Sequence, residues 1–370
     1  MDRYARQIIL PQVGAEGQAR LAAARVLVVG AGGLGCPVLH YLVAAGVGQL
    51  CIVDGDVVEV TNLHRQLLYS RSDVGKGKAA TAADRLRGMG YDRAIEAVAE
   101  HLRERNARAL IARHDVVVDC TDDLFMRYLI NDACVQLGKP FVHGSLHRFA
   151  GQVAVFNHAG GPTYRCAFPQ EPGPGQVPNC ADAGVLGVLP GVVGTLQATE
   201  VLKLLLGTGG LVNDGILLVD LLTQQHRRMK LHRDARQEAK ALLRDIDAAA
   251  AHAAACASDG PGMAPQEMQQ RINRGEHWQL LDVRQPDEIP RIAVLEGHRI
   301  PLDQLEQRAQ ELDPVLPTLV YCASGVRSRL AAQMLQRLGF AMVRSLNGGA
   351  RAWPQLEHEP IISPHKNETA

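Results

Sequence analysis

Arg25-Val26-Leu27-Val28-Val29-Gly30-Ala31-Gly32-Gly33-Leu34-Gly35 is the stretch that decides the fold of this chain. Its residues 26–29 form a short apolar run rich in β-branched side chains, the composition of a strand buried on both faces of a parallel sheet. Gly30, Gly32 and Gly35 then give G-x-G-x-x-G, and Leu34 onward reads as a helix. Glycines so spaced permit a tight turn, close approach of backbone to a phosphate and close helix packing, with the helix N-terminus facing the anion. A second apolar strand, residues 50–53, ends at Asp54, a carboxylate placed to hold a ribose. A ligand-free glycine turn would look the same, and the motif alone does not choose between NAD and ATP.

The alternation continues outward. Residues 14–24 and Lys78–Gly88 read as helices, with Lys76 and Lys78 at the start of the second. Residues 115–119 read as another buried strand, running into Cys120-Thr121-Asp122-Asp123 before a helix from Leu124, and short strands at 140–143 and 152–156 follow. Strands alternating with helices indicate a mostly parallel, doubly wound α/β sheet. Ligands in such sheets gather at the carboxyl ends of the strands. Gly33, Asp54 and Asp122 fall just beyond successive strand ends, and Arg65 and Lys78 add two cations. Asp122 is placed to carry Mg2+, with Arg65 and Lys78 neutralising a triphosphate, which suits nucleotidyl transfer better than hydride transfer. Each has a plainer role when taken singly: an Asp at a strand end caps helices, and a loop cation is solvated.

A chain of 370 residues has room for two domains. Lys+Arg and Asp+Glu both number 39, which gives no support to nucleic-acid or membrane binding. Residues 1–11 lack the basic-then-apolar pattern of a signal peptide. Eight scattered cysteines, with Cys51 and Cys120 in core strands, suit a reducing cytoplasm rather than a disulfide framework. The longest apolar stretch, 184–206, is interrupted by Pro190, Gln197, Glu200 and Lys203 and reads as a loop and helix rather than a membrane span.

An alanine-rich segment running into Ser258-Asp259-Gly260-Pro261-Gly262 marks residues 246–262 as a linker between domains at 1–245 and 263–358, with 359–370 as a flexible tail. The second domain is a smaller α/β unit: a helix at Pro265–Asn273, a strand over 279–283, and a strand at Thr318–Tyr321 entering Cys322-Ala323-Ser324-Gly325-Val326-Arg327-Ser328 before a helix over 329–338. A cysteine hinged between strand and helix lies in a nest of backbone N–H groups. Those donors, the helix N-terminus and Arg327 would stabilise a thiolate or persulfide. A buried, inert cysteine beside a serine cap is the plainer alternative.

Arg3-Tyr4-x-Arg6-Gln7-Ile8, the Gly30 to Gly35 loop, Asp54, Asn62-x-x-Arg65-Gln66, Asp73-Val74-Gly75-x-x-Lys78, Thr121-Asp122 and Gly184-Val185-x-Gly187-Val188 occur in that order. Over residues 1–235 the chain therefore resembles the MoeB/ThiF family, bacterial relatives of ubiquitin-activating enzymes. The resemblance implies a Rossmann-like domain that uses ATP and Mg2+ to adenylate the C-terminal glycine of a ubiquitin-like sulfur carrier protein ending in Gly-Gly (MoaD/ThiS type). It implies an ATP site made of Gly33, Asp54, Thr61, Asn62, Leu63, His64, Arg65, Lys78, Asp122 and Asp123, with Asp122 on the metal. Arg6 in such enzymes reaches into the partner subunit's site, which implies a homodimer. Cys180, in Pro178-Asn179-Cys180-Ala181, resembles the family's cysteine that attacks the activated carboxyl or forms an acyl disulfide; an unreactive loop thiol is the alternative.

Two departures stand out. Family members carry two Cys-x-x-Cys pairs around a structural zinc, but Thr163-Tyr164-Arg165-Cys166 lacks the first cysteine and residues 234–255 contain none. Four thiolate or imidazole ligands are wanted, and His226 and His232 are poor substitutes, so no zinc site is expected. Asp123 also replaces the usual Asn after the metal-binding aspartate.

Residues 263–357 resemble a single-domain rhodanese, on Leu281-Asp282-Val283-Arg284, Ile300-Pro301-Leu302, the Cys322 to Arg327 loop, and Asn347-x-Gly349 before Trp353. The resemblance implies that Cys322 takes sulfane sulfur from thiosulfate or a persulfidated desulfurase, cradled by Ala323, Ser324, Gly325, Val326 and Arg327. Ala323 stands where Arg is common, and residues 289–293 are atypical. Together the halves imply adenylation followed by sulfur transfer to a C-terminal thiocarboxylate. Molybdopterin, thiamine, tRNA thiolation and siderophore or cysteine biosynthesis remain open as the pathway served. A dehydrogenase fused to a sulfur-sensing module, and a non-catalytic redox scaffold, are the other readings; Arg65, Lys78 and Asp122 argue against the first.

Overall fold

Val26, Val28, Leu50, Ile52, Val116 and Val118 enter one hydrophobic cluster while Leu27, Val29, Cys51, Val53 and Val117 enter another. Successive strand residues point to opposite faces, so both faces of the sheet are covered. The computed structural model describes residues 3–90, 94–171, 184–246, 262–286, 288, 297–323 and 325–353. Most of the expected linker, the expected tail, the atypical stretch 289–293, Cys180 and Ser324 lie outside them. The chain forms two compact units.

In the first unit the elements run α1 (Ala5–Ile8), α2 (Gly14–Ala23), β1 (Arg25–Val29), α3 (Gly35–Ala44), β2 (Gln49–Val53), α4 (Lys78–Gly88), β3 (Ala94–Val98), α5 (Glu104–Ala112), β4 (Val116–Asp119), α6 (Leu124–Gln136), β5 (Phe141–His147), β6 (Ala150–Phe156), α7 (Tyr164–Ala167), α8 (Val188–Leu206), β7 (Gly215–Asp220), β8 (Gln225–Lys230) and α9 (Ala235–Leu243). The sheet order is β3-β2-β1-β4-β5-β6-β7-β8. The first five strands are parallel, with Val26 opposite both Leu50 and Val116, and β6, β7 and β8 continue antiparallel. Helices α3, α4 and α8 cover one face through Leu39, Leu86 and Val193. Helices α5 and α6 cover the other through Ile111 and Ile130.

Helix α8 has the length and mean hydropathy of a membrane span. Its Leu189, Val193 and Val201 lie in the core, and its buried Gln197 and Glu200 bind the Asp119 carbonyl (2.7 Å) and the Val212 N–H (2.9 Å). Those polar contacts mark it as an internal helix of the domain.

The second unit holds β9 (Gly262–Met263), α10 (Pro265–Asn273), β10 (Gln279–Asp282), β11 (His298–Arg299), β12 (Thr318–Tyr321), α11 (Val326–Arg337) and β13 (Val343–Leu346). Its five strands are all parallel, in the order β11-β10-β12-β13-β9. Helix α11 starts at Val326, three residues before the expected 329, because Gly325 at φ 88° turns the chain straight from the cysteine loop into the helix.

Candidate active sites

The glycine loop joins β1 to α3 with no room for side chains at its ends. A Cβ on Gly35 would lie 2.0 Å from the Gly30 carbonyl oxygen, and one on Gly30, whose φ is +96°, would lie 2.7 Å from that of Cys120. Asp54, just past β2, fastens the loop: its Oδ2 accepts from the Ala31 N–H at 2.7 Å and its Oδ1 from that of Asp56 at 2.8 Å. Burial pushes the Asp54 carboxyl above its ordinary range, an effect that nearby Lys78 opposes.

Lys78 opens α4 and is buried. Its Nζ donates to Asp56 Oδ2 at 3.1 Å, a carboxylate that is half exposed. Asn62 is buried in the turn ahead, where its Oδ1 accepts from the Glu59 N–H at 3.3 Å. Thr61 bonds Glu59 through its hydroxyl, and Leu63 packs on the core. Arg65 donates to the Thr61 carbonyl at 3.0 Å and lies 2.7 Å from His64 Nε2. A Cβ on Gly33 would touch Pro190 at 3.1 Å and Arg65 Cγ at 3.5 Å, and one on Gly187 would strike the His64 carbonyl at 2.5 Å. Gly33, His64, Arg65 and the start of α8 are therefore neighbours.

Asp122, past β4, is exposed, and no described residue hydrogen-bonds its carboxylate. Asp123 is occupied elsewhere, since its Oδ1 accepts from the N–H groups of Phe125 (2.9 Å) and Met126 (3.3 Å) and so caps α6. Arg6 lies exposed on α1. That helix is held at the far end of α3, where Gln7 donates to the Ala45 carbonyl at 3.0 Å. The ten residues of α3 put about 15 Å between this anchor and the glycine loop, at about 1.5 Å per residue. The structure brings Gly33, Asp54, Arg65 and Lys78 together and leaves Arg6 outside that group.

One polar cluster was not singled out from sequence. Asp119, fully buried at the end of β4, accepts from Thr121 N–H (3.1 Å) and Oγ1 (2.8 Å) and faces His143 Nδ1 at 2.7 Å. Burial pushes the His143 imidazole below its ordinary pKa, keeping it neutral. Burial works against the Asp119 charge, yet the His143 hydrogen bond and Arg127, 3.9 Å away, hold its carboxyl below the ordinary range. The cluster orients the Thr121-Asp122 turn. An acidic residue closing an apolar strand was its one visible signal.

In the second unit, Cys322 is fully buried at the end of β12. Its Sγ accepts from the Gly325 N–H at 3.1 Å and lies 3.7 Å from Ser328 Oγ. Gly349 closes on the loop so tightly that a Cβ there would lie 2.3 Å from the Cys322 carbonyl. The Ala323 side chain is half-buried, and Arg327 lies in the first turn of α11. Its Nη1 and Nη2 donate to the two oxygens of Glu288 at 2.5 and 2.6 Å. Asp282 and Arg284 form a second, buried ion pair at 2.7 Å.

Residues 4–241 match the ThiF family. The chain belongs to it. Residues 264–356 match the rhodanese-like domain, so this ThiF-family chain carries a rhodanese domain after its nucleotide-binding domain. The sulfur carrier protein adenylyltransferase of Thermus thermophilus is 53% identical over 241 residues, 64% of this chain and 89% of that relative. The mouse adenylyltransferase and sulfurtransferase MOCS3 is 41% identical, aligned over 95% of this chain and 84% of its own length. The probable adenylyltransferase/sulfurtransferase MoeZ of Mycobacterium tuberculosis is 37% identical over 97% and 94% of the two chains. Crystal structures of Escherichia coli MccB share the first unit's fold, one with a TM-score of 0.56 at 22% identity, covering 63% of this chain and 72% of that one.

Cys166 is the one cysteine that this ThiF-family member keeps at the positions of the two Cys-x-x-Cys pairs. Cys166 Sγ accepts hydrogen bonds from the backbone N–H groups of Thr163 (3.4 Å) and Asp234 (3.3 Å), and Thr163 Oγ1 lies at 3.3 Å. The Arg233–Glu238 ion pair stands beside it, and Arg233 also donates to the Gly161 carbonyl at 2.8 Å. His226 and His232 are exposed, and among the described residues no group of three or more His, Cys, Asp or Glu side chains is arranged to hold a metal. The Asp234 N–H bond to Cys166 Sγ and the Arg233 bond to the Gly161 carbonyl tie the segment at 161–166 to the one at 233–234.

Proposed function

We propose that this protein activates the C-terminal glycine of a ubiquitin-like sulfur carrier protein as an acyl-adenylate and then sulfurates it, acting as an adenylyltransferase and sulfurtransferase. The observation that carries the reading is one chain holding both halves of the chemistry. The glycine loop, Asp54, Lys78 and Arg65 lie together past the ends of β1 and β2, Asp122 lies just past β4, and Cys322 sits in a tight loop in the second unit. The named activities of the Thermus, mouse and mycobacterial relatives support it.

A free carboxylate is a poor electrophile. Its oxygen attacks the α-phosphorus of ATP, pyrophosphate leaves, and the carbonyl gains AMP as a leaving group. Lys78 and Arg65 supply positive charge for the phosphates, and the glycine loop and the start of α3 supply backbone donors. Asp122 would hold Mg2+, which neutralises phosphate charge when bound. The terminal sulfur of a Cys322 persulfide then attacks the carbonyl and displaces AMP, leaving an acyl disulfide. A second thiol, Cys180 or an external one, bonds the Cys322 sulfur and releases the thiocarboxylate; a thiol reductant restores the cysteines.

The distance of Arg6 from its own glycine loop supports a homodimer in which it serves the partner's site, and its neighbours Ile9 and Leu10 are exposed apolar residues suited to such an interface. A reducing cytoplasm is the setting in which these thiols stay reactive. Carrier-dependent ATP–pyrophosphate exchange tests the first half, and light scattering of the purified protein tests the dimer. Exchange that is absent with every Gly-Gly-ending carrier tried would return the dehydrogenase reading to the front.

A further inference from the structure

The loop around Cys322 has one guanidinium of its own, Arg327, and the structure shows that charge already engaged. Both Arg327 Nη atoms donate to the carboxylate of Glu288, at 2.5 and 2.6 Å, in a fork-to-fork pair whose two side chains are each about a quarter exposed. Glu288 is itself held in place, since its Oε1 accepts from the Gln285 N–H at 2.9 Å. Beside it a small cavity of about 70 Å³ is lined by Asp282, Arg284, Gln285, Glu288 and Arg299. Among the described residues, its two acids are each matched to one guanidinium, Asp282 to Arg284 and Glu288 to Arg327, while Arg299 is exposed. Position 323, next to the cysteine, is alanine and adds no cation.

A bidentate carboxylate satisfies the donors of an arginine that would otherwise bind an anion. Arg327 holds the Glu288 carboxyl below its ordinary range, so the pair is fully charged at neutral pH. The charge balance matters because donors of sulfane sulfur differ in charge. With thiosulfate, the Cys322 thiolate attacks the outer sulfur and the S–S bond breaks with its electron pair to the departing sulfite. A dianion must then approach a thiolate, placing three negative charges in one small site. With an uncharged persulfide, the thiolate attacks the terminal sulfur, the S–S bond breaks toward the departing thiolate, and the single charge is only moved. Neither transfer needs an added oxidant or reductant.

We infer that Glu288 is a specificity-determining residue, cancelling the charge of Arg327 so that the Cys322 loop takes sulfur from low-charge persulfides, such as one carried on another protein, in preference to thiosulfate. The inference rests on the sulfurtransferase reading above and names its donor class. In the other arrangement, Arg327 unpaired, the loop would draw in small anions.

The test is the first half-reaction alone, which needs neither ATP nor carrier. The intact protein is loaded from thiosulfate or from the persulfide of N-acetylcysteine methyl ester, which carries no charge apart from its own sulfur. The added sulfur on Cys322 is read by mass spectrometry and rates are followed over donor concentration. Glu288→Gln should lower the KM for thiosulfate about tenfold, the effect of one uncovered charge at short range, with the KM for the less charged persulfide changed much less. Glu288→Asp, which keeps the carboxylate, should stay near wild type. In the wild type itself, the thiosulfate KM should be almost independent of ionic strength, and in Glu288→Gln it should rise with salt. Equal losses with both donors in Glu288→Gln, or a strongly salt-dependent thiosulfate KM in the wild type, would overturn the inference while leaving the sulfurtransferase reading standing. No loading of Cys322 from either donor would overturn both.

Discussion

Lys78 Nζ lies 3.1 Å from Asp56 Oδ2, and the lysine is buried while the aspartate reaches solvent. The buried cation is therefore held by a carboxylate that solvent, or an anionic ligand, can reach. A lysine in this position is costly to bury without a counter-charge, so Asp56 makes the ligand-free site stable.

Lys78→Met should lower carrier-dependent ATP–pyrophosphate exchange by about a hundredfold, the scale of losing one preorganised charge at a reacting phosphate. Asp56→Asn should leave exchange within a few-fold of wild type while lowering thermal stability. Exchange kinetics and a melting curve on both variants check this, and an active Lys78→Met would remove the lysine from the site.

Gly35→Ala should abolish exchange, because its Cβ would sit 2.0 Å from the Gly30 carbonyl and the β1–α3 turn would have to open. The forced shift should cost roughly 1–3 kcal/mol, the usual scale of overpacking, measurable by denaturant unfolding. Gly75→Ala makes a useful contrast. It has no neighbour within 4 Å and only its φ of +87° to strain, so it should cost stability with no loss of the loop.

The contrast between what the residues announced and what they hid is physical. Residues 26–29 and 50–53 declared their strands because burial on both faces demands continuous apolar composition. Strand β8, Gln225–Lys230, is an edge strand exposed along its whole length, so its polar sequence carries no burial signal. Strand β3, with its mixed Ala-Ile-Glu-Ala-Val, is half-buried and equally quiet. Single candidate residues could be picked out where a motif spaced them along the chain, as with Gly33, Arg65, Lys78 and Cys322. Their counter-charges were not: Asp56 lies 22 residues from Lys78, His143 lies 24 from Asp119, and Glu288 lies 39 from Arg327. Only the fold brings such pairs together. Asp123 shows the reverse, a motif position whose side chain is occupied in capping α6.

Acid should destabilise the first unit through the Asp119–His143 pair. Folded His143 is held below its ordinary pKa of about 6.5, so the unfolded chain takes up the extra proton as pH falls through that value. The stability from neutral His143 is therefore present above about pH 6.5 and declines below it. Asp119, also held low, adds a further loss below about pH 4. His143→Gln, which can still donate to Asp119, should flatten the decline between about pH 6.5 and 5 in melting temperatures. An unchanged slope would show that His143 does not titrate on unfolding.

The hydrogen-bonded knuckle should make the protein indifferent to chelators. Metal analysis should find far less than one zinc per chain, and the melting temperature should not move with EDTA. Cys166→Ala should cost about 1 kcal/mol, the scale of a lost hydrogen-bond acceptor, since it strips a partner from the Thr163 and Asp234 N–H groups. Stoichiometric zinc, with melting lowered by EDTA, would contradict this.

The central claim is tested most directly by the mass of the carrier. A Gly-Gly-ending carrier is incubated with the protein, Mg-ATP, a sulfane-sulfur donor and a thiol reductant. The account predicts that its C-terminus gains the mass of sulfur for oxygen, only with ATP present, and that Cys322→Ala abolishes the gain while pyrophosphate exchange continues. The same sulfur-for-oxygen product formed by Cys322→Ala, or formed without ATP, would contradict it.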